Sequence, residues 1–202
     1  SLLYPADEDE DALERAVDRL CRSAVEAIDD GKNVLVLTDR GVDAKHLAIP
    51  TLLAVSAVHQ HLVREGIRMQ TGLIVEAADV REVHHVACLI GFGAGAINPY
   101  LALDSIAQMV DDGLIEGTIE DAHERYRDAV NYGLRKIMSK MGISAVSSYR
   151  GAQIFEIIGL DRDLVDQDFT GTASRISGVG LRELGMENRV RHERAYGPSV
   201  FF

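Results

Sequence analysis

Cysteine is nearly missing from this 202-residue chain, which holds only Cys21 and Cys88, far apart in the sequence. A multi-cysteine zinc or iron–sulfur site needs three or four thiolates, so this chain alone does not supply one. The scarcity also fits a reducing compartment. Basic residues are in deficit, with 21 Lys and Arg against 32 Asp and Glu, for a formal net charge of −11. A phosphate backbone would be repelled by that excess, and no basic stretch interleaved with aromatics offsets it. Nucleic acid is therefore not an expected partner. No apolar run approaches the ~20 residues that span a bilayer, and no charged-then-apolar leader opens the chain. The expectation is a cytoplasmic polypeptide with no membrane partner. Internal repeats and low-complexity linkers are missing as well.

What the chain does have is enough apolar material for a core: 47% of its residues are hydrophobic. A chain of this size buries roughly 70% of its unfolded surface and suits one domain, or a domain with an appendage. After an acidic start, Leu13, Val17, Leu20, Ala24 and Ile28 recur every three or four residues, which predicts a helix that Gly31 stops. "VLVLTD" (34–39) is a continuous apolar run of strand length, the pattern of a strand buried on both faces. A helix is expected from about Pro50 to Arg64, a second strand over Gly72 to Ala77 and a helix in "VREVHHVACLIGFG". "AIN" (96–98) reads as a short third strand, and "PYLALDSIAQMV" as a helix with Pro99 near its first turn. A long polar helix follows from about Thr118 to Met138, then "ISAVS" (143–147) as a fourth strand and an apolar helix opened by Gln153 and Glu156.

Strands alternating with helices predict an α/β fold of parallel β/α units, as an open sheet or a partial barrel. A complete (β/α)₈ barrel takes about 250 residues and eight strands. Four strands are legible here, and the strand signal fades after Leu160. Residues 1–160 thus read as an α/β segment, and 161–202 as an extension of loop and short helix.

Candidate sites fall at the ends of these elements. Gly91, Gly93 and Gly95 do not have the spacing of a dinucleotide fingerprint and follow a helix instead of a strand, so close packing is their expected role. Asp39 and Arg40, at the carboxyl end of the first strand, either orient a polar ligand or form an ion pair that holds the loop. Glu76 and Asn98 stand at the corresponding ends of the next two strands and complete a possible polar pocket. His59 and His61 are two apart on a helix, and His84 and His85 adjacent, so neither pair shares a face as metal ligands would. Cys88 lies one helical turn beyond His84, with no acidic group to orient the pair, and reads as a buried thiol. In "SKMGISAVSSYRGAQIFEIIGL" (139–160), Ser139 and Lys140 close a helix at Gly142, where a lysine complements the helix dipole. The stretch has the makings of either a site or a structural joint.

Longer blocks carry a resemblance. "KIMSKMGISAVSSYRGAQIFEIIGL", "FTGTASRISGVGL", "VLVLTDR" and "IPTLLAVSAVHQHLVREGIRMQTGLIVEAADVREVHHVACLIGFGAGAINPYLA" closely resemble the large subunit of glutamate synthase, from about Tyr4 to about Glu187. The resemblance implies a multidomain oxidoreductase of glutamate biosynthesis. In it a glutaminase domain releases ammonia through an internal tunnel to a flavin-binding barrel, where 2-oxoglutarate is converted to glutamate. FMN and an iron–sulfur cluster are implied for the complete enzyme, with a small electron-donating subunit or ferredoxin as partner. The present chain resembles the C-terminal half of a central α/β domain lying between the glutaminase and FMN domains. It begins at Ser1 without a cysteine nucleophile and lacks the cluster cysteines, so no catalytic residue is carried over. The leading expectation is a non-catalytic central-domain portion, with no cofactor of its own and with 139–160 as a joint between a strand and a helix. A freestanding small-ligand-binding module and an autonomous flavoenzyme are the alternatives. Missing strands would leave an open edge and an apolar face, to be covered by self-association or by the apolar tail Val200, Phe201 and Phe202.

Overall fold

The structure, a computed structural model, describes residues 1–197; the apolar tail, Val200 to Phe202, lies outside them. A short strand, β1 (Leu3–Pro5), precedes α1 (Ala12–Asp29). Leu13, Val17, Leu20, Ala24 and Ile28 all lie on the buried stripe of α1, as their spacing requires. Gly31, at a φ of +81°, ends it in a conformation that only glycine adopts cheaply. Then come β2 (Val34–Thr38), the three-residue β3 (His46–Ala48) and α2 (Thr51–Arg64). Next are β4 (Gly72–Glu76), α3 (Val83–Gly91), β5 (Ala96–Asn98) and α4 (Tyr100–Asp111).

β2, β4 and β5 form one parallel sheet in that order, while β1 and β3 pair antiparallel beside it. Leu37, Leu73 and Val75 point into the main core with the apolar faces of α1 and α2. The other face of the sheet is open: Val34 and Val36 are 51% and 50% exposed. β2 had been expected to be buried on both faces, and its apolar run is covered on one only. The molecule is thus an open α/β fold of parallel units, with no closed barrel among the described residues.

The second half departs from the pattern read in the sequence. The long helix α5 (Ile119–Lys140) forms as expected and is capped by Thr118, whose hydroxyl accepts from the Asp121 amide at 3.1 Å. The strand expected at Ile143–Ser147 does not form. Gly142 takes a φ of +70°, its amide donates to the Ser139 carbonyl, and the Ile143 amide donates back to Met138. That is a Schellman closure, with Ile143 and Met138 packed in one small apolar cluster. Ile143 thereby serves to end a helix, and the next residues turn into the single turn α6 (Val146–Tyr149).

The helix expected to open at Gln153 and Glu156 is instead the strand β6 (Glu156–Leu160). Its β-branched pair Ile157 and Ile158 suits an extended backbone, and it finds a partner further along the chain. That partner is β7 (Ala173–Val179), parallel to β6 and reached through α7 (Arg162–Asp168). β7 was missed because "ASRISGV" shows little apolar alternation, and most of it is exposed. Stretch 139–160 is therefore a joint from helix α5 to strand β6, not from a strand to a helix. Beyond β7, α8 (Leu181–Tyr196) is a 16-residue helix where only loop and short helix had been expected. It is strapped across the small sheet: Asn188 donates to the Tyr4 hydroxyl at 2.9 Å and the Ala48 carbonyl at 2.8 Å, and the Tyr196 hydroxyl donates to Val42 at 3.1 Å.

Candidate functional site

The parallel register sets Thr38 opposite Glu76, and Glu76 opposite Asn98, so three polar side chains line up at the carboxyl ends of β2, β4 and β5. Glu76 is the centre. One carboxylate oxygen accepts from the Thr38 hydroxyl at 2.8 Å; the other accepts from the Asn98 amide at 3.1 Å and pairs with Arg40 Nε at 2.9 Å. Arg40 in turn lies over the Tyr100 ring, its guanidinium carbon 3.9 Å from the centroid, which fixes its plane. The bond from Arg40 holds the Glu76 carboxyl below its ordinary range, with Thr38 helping. Both Glu76 oxygens are thus engaged within the cluster.

Asp39 turns the other way and is buried. One oxygen accepts from the Ala78 amide at 2.8 Å, and the other has no hydrogen-bond partner. Burial raises its carboxyl above the ordinary range, against the smaller opposing effects of the Ala78 bond and the neighbouring Tyr100 hydroxyl. The same burial, with Asp39 beside it, pushes Tyr100 up to about 12. A cavity of about 400 Å³ opens next to Asp39, walled by Thr51, Asp79 and Arg81 and by Asn188 and His192 of α8.

The structure thus brings Asp39, Arg40, Glu76 and Asn98 to one end of the sheet. Ser139 and Lys140 are not among them: they are exposed on the last turn of α5, where Ser139 borders a shallow groove with Arg135 and Gly142. Thr38 and Tyr100 were missed in the sequence. Thr38 shares the side-chain parity of Glu76 once the register is known, whereas nothing in the sequence marks Tyr100.

The remaining candidates resolve as packing. A Cβ on Gly91 would meet the Phe155 ring at 2.5 Å, and one on Gly93 the His59 ring at 2.6 Å, so that glycine turn is filled by aromatic side chains. Cys88 and His84 meet at 3.6 Å, and burial pushes the thiol up to about 11. Cys21 is driven up to about 12, by burial first and then by the charges of Asp168 and Asp18. Neither thiol is poised as a nucleophile. Among the described residues, no three His, Cys, Asp or Glu side chains converge as metal ligands would, and no helix is long and apolar enough to cross a membrane.

These features define an open parallel β/α domain whose strand-end polar groups largely hold one another. Residues 1–161 match the glutamate synthase central domain, and the chain belongs to that family. It is 47% identical over 184 residues to the glutamate synthase (NADPH) large chain of Bacillus subtilis, a match covering 91% of this chain and 12% of that one. To the glutamate synthase (NADH) of Saccharomyces cerevisiae it is 44% identical over 188 residues, covering 89% and 9%. To the ferredoxin-dependent glutamate synthase 1 of Arabidopsis thaliana it is 46% identical over 190 residues, covering 88% and 12%. The chain therefore spans only about a tenth of the length of these relatives.

Proposed function

We propose that this chain is the non-catalytic central-domain portion of a glutamate synthase, a spacer between the glutaminase and FMN domains that borders the path of ammonia between them. Residues 1–160 form the spacer, and 161–202 lead towards the FMN domain. The other domains of the large subunit are its partners, with a small electron-donating subunit or ferredoxin supplying electrons to the whole enzyme. The observation that carries this reading is the match to the family's central domain in a chain a tenth the length of its relatives. The strand-end cluster supports it: Glu76 has no carboxylate oxygen left free for a substrate.

FMN and an iron–sulfur cluster are implied for the complete enzyme, and the residues here fit neither. Cys21 and Cys88 lie on separate helices and are two thiols where a cluster needs more. The glycine turn at 91–95 lacks the dinucleotide spacing, follows a helix instead of a strand, and is packed by Phe155 and His59 where side chains on Gly91 and Gly93 would stand. Candidate residues Asp39, Arg40, Glu76 and Asn98 therefore act as a polar knot that locks three strand ends, and Ser139 and Lys140 as the closing turn of α5.

Incubated alone with glutamine, 2-oxoglutarate and a reductant, the chain will form no glutamate; sustained formation without an added subunit would overturn the reading. Within a full-length glutamate synthase, Glu76→Ala will loosen the spacer and release free ammonia in excess of glutamate formed. An unchanged ratio of the two products would remove the ammonia path from the proposal.

A further inference from the structure

His59, on α2, carries a fixed hydrogen-bond donor for which the fold supplies no acceptor. Arg68 donates through Nε to His59 Nδ1 at 2.9 Å, and through its two other nitrogens to the carbonyls of Thr71 at 2.7 Å and Gly93 at 2.9 Å. A guanidinium can only donate, so Nδ1 keeps its lone pair and the ring proton sits on Nε2. Burial first, and then the charge of Arg68, push the ring down to about 4, so it stays neutral. A Cβ on Gly93 would fall against Nδ1, Cγ and Cβ of His59, at 2.6, 2.7 and 2.9 Å, so this side of the ring is turned towards Gly93. Nε2 stands across the ring from it. Among the described residues, its proton has no acceptor.

His59 also borders a cavity of about 320 Å³, with Gln60, Phe92, Gln153, Phe155 and Thr172. Arg68 and Gly93 do not border it, so the cavity lies on the Nε2 side of the ring. No Asp, Glu, Lys or Arg side chain lines it either. A charged ligand would lose its hydration there without an ionic partner. Phe92 and Phe155, stacked with centroids 5.6 Å apart, give the cavity an apolar wall suited to a planar body. Gln153 is the one residue other than glycine with a left-handed backbone among those described, at a φ of 53°. Strain of this kind persists where the surroundings hold it, and it concentrates at ligand sites. The Gln153 amide lies in the room left by the missing side chain of Gly171, on the cavity wall. It offers one carbonyl and two N–H groups to whatever enters.

We propose that this cavity binds a small neutral carboxamide, whose carbonyl accepts from His59 Nε2–H and whose amino group donates to the Gln153 side-chain oxygen. The Arg68 charge behind Nδ1 polarises the imidazole and strengthens Nε2–H as a donor. Nothing in the spacer reading requires this site, and its test is independent of glutamate formation.

The test is an NMR titration of the whole 202-residue chain with benzamide and, separately, with benzoate and with toluene. Before any addition, the histidine nitrogen spectrum should show His59 protonated at Nε2 alone. Benzamide should then produce a saturable shift at that group. Benzoate, which is charged, and toluene, which has no acceptor, should each bind about tenfold more weakly or worse. Gln153→Gly, which suits the left-handed backbone, should weaken benzamide about tenfold, and His59→Phe should remove the preference for benzamide over toluene. No saturable shift with benzamide in the native chain would overturn the proposal. So would benzoate or toluene binding as tightly as benzamide, or full benzamide affinity in the Gln153→Gly protein.

Discussion

Gly93 shows how much a single position decides. Its backbone sits at a φ of +125°, and the space where a Cβ would go is taken by the His59 ring at 2.6 Å. Gly93→Val therefore strains the backbone and displaces His59 from Arg68 together. The expected loss of stability is at least about 1–3 kcal/mol from overpacking alone, read as a lower midpoint in urea. Tyr149 makes the opposite case. It is fully buried, yet its hydroxyl has no hydrogen-bond partner, and burial raises its ionisation above the ordinary range. An unpaired buried hydroxyl costs free energy that an apolar ring does not. Tyr149→Phe should leave stability unchanged or raise it by up to about 1 kcal/mol, and a marked loss in thermal unfolding would reveal a partner for that hydroxyl.

Among the elements, the junction of α7 with α2 is one whose strength depends on pH. The Ser56 hydroxyl donates to the Asp168 carbonyl, and Arg64 donates to the Gln167 carbonyl at 2.6 Å, so α2 holds the end of α7 from two points. The Asp168 side chain is carried inside, with one oxygen unpaired. Burial, opposed by Arg64 and reinforced by Asp18, pushes its carboxyl from 3.8 up to about 6. The folded state thus favours the protonated acid. Its contribution is complete below the unfolded value of 3.8 and is lost as pH rises through about 6. Asp168→Asn, neutral at every pH, should be more stable than the native chain near pH 7.5, by at most about 3 kcal/mol. Near pH 4 the gain should vanish. Urea unfolding at the two pH values measures the difference, and an equal gain at both would mean the carboxyl is ionised throughout.

At the scale of the molecule, the sheet is incomplete. Val34 and Val36 on β2 are about half exposed, and Ile158 and Ile176 on the second parallel pair are more exposed still, at 70% and 59%. β2 and β5 are both edges, with backbone groups available to another strand. In the full-length relatives, far more polypeptide is present to meet such surfaces. Isolated, the chain should cover them with a second copy, most simply about a two-fold axis. Sedimentation at micromolar concentrations should then show a dimer or a larger species, and Val36→Lys should shift it towards monomer. A native chain that stays monomeric throughout would mean that water tolerates this face.

Much of this organisation could be read from residue order alone, wherever the signal was local. The three-to-four spacing of α1, the apolar run of β2 and the long polar run of α5 depend on neighbours within a turn or two, and each produced the element it implied. The long blocks shared with glutamate synthase likewise carried the family without any coordinates. Partners distant in the chain decided the rest. Ile143 looked like the start of a strand but closes a helix, because Met138 lies beneath it and no strand beside it. β6 is extended because β7 pairs with it, and the sparse apolar pattern of β7 offered no hint of that. Asp39, Arg40, Glu76 and Asn98 could be picked as strand-end polar residues, but only the register showed Glu76 bonding to Thr38, Asn98 and Arg40 together. Arg68 was not picked out in the sequence, and only the fold brings its guanidinium to His59 and to the carbonyls of Thr71 and Gly93. Charge is written in the residues, but whether a guanidinium meets a carboxylate, as Arg40 does, or backbone carbonyls, as Arg68 does, is decided only when the chain brings them together.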